Sequence, residues 1–75
     1  MKIKEMKPGE KAIIAGYEKD NKELRSKLLT MGLTKRTELE VVKFAPLGDP
    51  VEIKVRGFSL SLRKEEADIL NLEEN

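Results

Sequence analysis

Seventy-five residues with no cysteine and no histidine make one domain around a small core. Fifteen basic and fourteen acidic side chains nearly cancel, leaving a formal charge of +1; this argues against a sequence-independent nucleic-acid binder. The alternating charges of Met1 to Met6 argue against a secretory leader and the apolar runs are too short for a membrane span, so a soluble chain is expected. The lack of thiols fits a reducing cytosol.

In chain order, Ile3 and Met6 are apolar positions of an entry segment that packs inward. Lys7-Pro8-Gly9-Glu10 matches a type II turn, with Pro second and Gly third. A first strand is predicted over about 11 to 17, carrying Ile13, Ile14 and Tyr17.

A helix follows. Asp20 and Asn21 are good N-cap residues, and Glu23 stands three places after Asp20, as a capping box requires. Leu24, Leu28 and Met31 recur at i, i+4 and i+7, so they lie on one stripe. Gly32 supplies a left-handed stop, and Leu33 the apolar contact that accompanies it.

Everything beyond Gly32 reads as β-structure. Leu39, Val41 and Lys43 alternate with Glu40, Val42 and Phe44, so both faces of the second strand are partly apolar. Ala45-Pro46-Leu47-Gly48-Asp49-Pro50 cannot continue a ladder and must turn, yet it holds an apolar residue, Leu47, at its centre. A stiff loop presenting an apolar side chain is a candidate docking feature. Val51, Ile53 and Val55 alternate with Glu52 and Lys54, and Phe58, Leu60 and Leu62 with Ser59 and Ser61. Arg56-Gly57 between these runs is a tight hairpin connection. Residues 64 to 67 make one helical turn, Ile69, Leu70 and Leu72 a last short strand, and 73 to 75 a frayed end.

Five short strands with a helix after the first, and too little apolar surface for two layers, predict a mainly β, SH3-like barrel, closed so as to remove its edges. An oligonucleotide-binding barrel is the alternative, but it usually carries its helix after the third strand.

The pairing of Leu28-Leu29-Thr30-Met31-Gly32-Leu33 with Ala45-Pro46-Leu47-Gly48-Asp49-Pro50 resembles the FeoA family. Met6-Lys7-Pro8-Gly9-Glu10, Arg56-Gly57, and Leu60-Ser61-Leu62-Arg63 leading into Glu65-Glu66-Ala67 fit the same pattern, which covers about 6 to 72. One position departs: where the family often has Pro-Gly after Met-Gly-Leu, this chain has Lys35-Arg36, which removes a permissive turn residue and adds two charges. The resemblance implies a small SH3-like protein of the cytoplasm, linked to ferrous iron uptake and acting on FeoB, a membrane transporter with a cytoplasmic GTP-binding domain. Related domains also end metal-dependent transcriptional repressors.

The residues themselves offer no chemistry. Without His or Cys the selective ligands for Fe(II) are missing, and the carboxylates of Glu65, Glu66 and Asp68, or of Asp49 and Glu52, read as solvated charge. No metal site and no cofactor are assigned. Ser26, Ser59 and Ser61 lack an activating base, and the five glycines are isolated turn residues rather than a phosphate loop. Tyr17, Phe44 and Phe58 make no stacking platform for single-stranded RNA.

The expectation is therefore a non-catalytic docking module. Its contact, below about 1,200 Å² in total, is placed on Met31, Leu33, Pro46, Leu47, Asp49 and Phe58. The implied partner is the cytoplasmic part of an FeoB-type transporter, with no nucleic acid and no membrane insertion; self-association stays open. A regulatory module acting with a metal-dependent repressor is the second reading, and a small RNA-binding barrel the third.

Overall fold

The computed structural model describes all 75 residues. Its strands are β1 (Lys11–Tyr17), β2 (Glu38–Phe44), β3 (Val51–Val55), β4 (Phe58–Leu62) and β5 (Leu70–Glu74), with helix α1 (Lys22–Thr30) after β1 and the single turn α2 (Lys64–Ala67) before β5. All pairings are antiparallel and the spatial order is β4-β3-β2-β1-β5. This is the SH3-like arrangement the strand count predicts.

Two bulges fit the strands to one core. Ile14 faces Leu72 and Gly16 faces Asn71, so Ala15 is an extra residue in β1. The insertion puts Ile14 and Tyr17 on the same face, opposite buried Leu72 and Leu70. In β2, Val41 faces Ile53 and Lys43 faces Glu52, so Val42 is extra and Phe44 comes to lie opposite buried Val51. The mixed pattern of β2 is thus a strand that changes phase midway. Sixteen buried apolar residues form one core, including Ile3 and Met6 of the entry segment.

The start of α1 differs from the capping-box expectation. Asn21 is the N-cap, its Oδ1 accepting from the Leu24 amide at 3.0 Å, which leaves Glu23 out of register for a reciprocal bond. The stop is as expected. Gly32 has φ +87°, its N–H donates to the Leu29 carbonyl, and the Leu33 N–H donates to the Leu28 carbonyl, both at 3.0 Å. These are the two bonds of a Schellman motif, with Leu28 and Leu33 both buried beneath it.

The ladder does not close into a ring, because β4 and β5 are the two edges. Met1 covers part of β5, exchanging both backbone hydrogen bonds with Leu72 at 2.8 and 3.0 Å. The end at 73 to 75 is not frayed through its length: Glu73 and Glu74 pair with Ile13 and Ala12. Outward side chains there keep polar groups in water while the backbone continues the ladder, so composition alone gave the wrong signal.

Candidate functional site

Pro46, Leu47 and Gly48 turn tightly between β2 and β3. The Gly48 N–H donates to the Ala45 carbonyl at 2.8 Å, and the Ala45 N–H donates to the Pro50 carbonyl at 2.9 Å. Leu47 takes φ +71°, a conformation costly for a residue with a Cβ, and its side chain is fully exposed at 103%. It lines a hollow of about 260 Å³ with Phe44 and Gly48, flanked by Lys4 and Lys64. Nothing in the core gains from Leu47, so its apolar surface is free for contact.

Asp49 has a folding role. Its Oδ1 accepts from the Lys64 amide at 3.0 Å and so anchors the start of α2 to the loop. The exposed Pro46 sits beside Leu47.

Phe58 lies at the opposite end of the β3–β4 ribbon. Leu62, Leu60 and Phe58 face Val51, Ile53 and Val55 in register. Burial nevertheless falls along the strand: Leu62 is fully buried, Leu60 half-buried and Phe58 72% exposed. The ribbon therefore projects beyond the core at its hairpin. Met31, Val55, Phe58 and Leu60 line a groove of about 330 Å³ there, together with Arg56 and Ser59. The structure thus brings Met31 and Phe58 together and sets Pro46, Leu47 and Asp49 apart, by about four strand residues or roughly 13 Å. Leu33, which the sequence placed on this surface, is 0% exposed and belongs to the core. Its Schellman contact turns it inward.

Between the two apolar features runs the outer edge of β4. Its five residues carry no charge and no proline, and their backbone groups bond only to β3. A bare, uncharged edge is a template for another strand. The sequence missed it because a closed barrel was expected.

The hairpin is held by Arg56, which the sequence did not single out for packing. Arg56 and Gly57 have φ +49° and +83°, as a type I′ turn demands. The Arg56 guanidinium donates to the Gly32 carbonyl at 2.8 Å, to Thr37 Oγ1 at 3.0 Å and to Thr34 Oγ1 at 3.3 Å. It thereby ties the hairpin to the end of α1 and to the turn before β2, placing a cation where helix carbonyls are unpaired. On the other side of α1, Lys27 Nζ meets the buried Glu66 carboxylate at 2.6 Å, and Glu66 Oε1 accepts from the Arg63 amide at 2.8 Å. The Lys27 hydrogen bond holds the Glu66 carboxyl below its ordinary value against the opposing effect of burial, with help from the Arg63 amide. No three or more acidic side chains cluster to hold a metal ion, and no helix is long and apolar enough to cross a membrane.

The family model described as the FeoA domain matches residues 1–74. The chain belongs to the FeoA family. A curated relative, the Fe(2+) transport protein A/Fe(2+) transporter FeoB fusion protein of Porphyromonas gingivalis, is 33% identical over 73 residues. That match takes in 97% of this chain but only 8% of the fusion protein. Among solved structures, iron(II) transport protein A of Clostridium thermocellum is 39% identical, with a TM-score of 0.88 over 99% of this chain and 45% of that one. The FeoA-like protein of Clostridium acetobutylicum is 34% identical, with a TM-score of 0.88 over 99% of this chain and 85% of that one. A manganese-dependent transcriptional repressor shares the fold alone, at a TM-score of 0.90 and 10% identity over 99% of this chain and 36% of that one.

Proposed function

We propose that this chain is a non-catalytic, cytoplasmic accessory protein of ferrous iron transport, docking on the GTP-binding cytoplasmic part of an FeoB-type transporter. The observation that carries the reading is the Porphyromonas gingivalis relative, named as a fusion of transport protein A with FeoB. Joining two modules in one chain raises their effective concentration for each other, which serves a weak mutual contact. The contact surface is the outer edge of β4 with Phe58 and Met31 at one end and Pro46 and Leu47 at the other. A partner segment there would add backbone hydrogen bonds to an open ladder and seat one apolar side chain at each end.

The test is calorimetric titration of the purified soluble part of an FeoB-type transporter with wild type, Leu47→Asp and Phe58→Ser. Both variants alter exposed side chains, so both remain folded by circular dichroism. Loss of binding in both supports the ribbon as the contact. Wild-type affinity in both removes it, and binding to a metal-dependent repressor but not to the transporter overturns the function.

A further inference from the structure

A second cleft lies beside the Ala15 bulge, where β1 pairs with β5. Of about 610 Å³, it is walled by Lys19, Arg25 and Lys35, with Tyr17 and Leu29 offering apolar surface between them. No acidic residue lines it, although the chain has fourteen acids for fifteen bases. The ion pairs of the chain engage Lys2, Lys27 and Lys43, so the three cleft cations have no ionic partner. Glu18, next in sequence to Lys19, is drawn off to Lys2 Nζ at 2.6 Å. A like-charged cleft focuses a positive field that the overall charge of +1 conceals.

We infer that this cleft binds an acidic peptide segment, with carboxylates on Lys19, Arg25 and Lys35 and an apolar side chain against Leu29 and Tyr17. The three cations come from three separate segments: the β1–α1 connection, the middle of α1, and the turn before β2. They therefore stand around a rim with apolar surface between them, which suits spaced carboxylates. A phosphate is typically held by convergent backbone amides or an N-terminal helix turn, whereas α1 presents its mid-helix residues Arg25 and Leu29 here. Leu29 is 42% exposed and offers an apolar anchor there.

Lys35 belongs to the Lys35-Arg36 pair in the turn before β2. That turn is closed by the Thr37 N–H donating to the Thr34 carbonyl at 3.2 Å, with Arg36 at φ +72°. The cleft uses none of the residues assigned to transporter docking.

The probe is a fluorescein-labelled peptide, Glu-Asp-Glu-Leu-Glu-Asp-Glu, followed by fluorescence anisotropy with the chain alone. Binding is expected at low salt and weakens steeply as salt is raised. Lys19→Glu with Lys35→Glu, both exposed, should reduce affinity about tenfold or more; Arg25→Gln should reduce it less. The same reversal at Lys4 and Lys64, by the Leu47 hollow, should leave affinity within about twofold of wild type, since screened charges on another face contribute little. No binding at low salt overturns the inference, as does an equal loss on reversing Lys4 and Lys64. Inorganic tripolyphosphate binding where the peptide does not would overturn it in favour of a phosphate ligand.

Discussion

Arg56 links the proposed docking ribbon to the helix, and its removal has a calculable effect. Arg56→Ala deletes hydrogen bonds to the Gly32 carbonyl at 2.8 Å and Thr37 Oγ1 at 3.0 Å, plus a longer one to Thr34 Oγ1 at 3.3 Å. Bonds from charged donors contribute about 1.5–3 kcal/mol each when well enclosed, and less where the donor is exposed, as here. A cation at a helix C-terminus adds roughly 0.3–1 kcal/mol. The alanine variant should therefore lose about 2 kcal/mol, the left-handed backbone at φ +49° being a cost it shares with wild type. Arg56→Gly deletes the same bonds but relieves that backbone, recovering roughly 1 kcal/mol. For a domain of this size each kcal/mol moves Tm by about 4–8 °C. Thermal unfolding by circular dichroism should thus place Ala about 8–16 °C below wild type and Gly about halfway between them. Equal Tm values for Ala and Gly would refute the backbone argument. A drop under about 2 °C in both would refute the hydrogen-bond argument.

Arg36 takes φ +72° with its amide bonded to the Ile14 carbonyl at 2.8 Å, a bond that glycine keeps. Arg36→Gly should therefore raise stability by about 0.5–1 kcal/mol in urea unfolding, the left-handed cost less the extra chain entropy of glycine. A lower midpoint would show that the side chain has a packing role. Glu66 has its carboxyl held below the ordinary value by Lys27, so its contribution is present above the unfolded glutamate range and lost as pH falls through the folded value. Glu66→Gln should accordingly cost about 1 kcal/mol near neutrality and converge with wild type in acid. A constant difference across pH would assign the effect to packing instead.

Local chemistry was legible wherever one residue decides one bond or turn. Pro8-Gly9 turned the chain, with Glu10 N–H bonded to the Lys7 carbonyl at 3.0 Å; Gly32 stopped α1; and Arg56-Gly57 closed a two-residue hairpin. Strand phase was harder, because a bulge displaces one residue without a compositional mark. Ala15 and Val42 look like ordinary strand positions, yet each resets which side chains face the core. The candidate surface was legible in Leu47, since an apolar residue within a Pro-Gly-Asp-Pro turn has no local reason to be there. Its separation from Met31 and Phe58 was not, because it depends on strand register. Leu33 was misplaced because an apolar residue after a glycine stop serves packing and contact equally well in sequence. Arg56 and the cleft of Lys19, Arg25 and Lys35 depend on long-range placement that spacing does not encode.

Contact between the β3–β4 ribbon and the transporter is read out by amide chemical-shift mapping of the isotope-labelled chain during titration with the unlabelled soluble part of an FeoB-type transporter. Shifts and broadening should concentrate on β4, on residues 46–48 and on Met31. Perturbations confined to β5 and the entry segment, or none at saturating transporter, would contradict it.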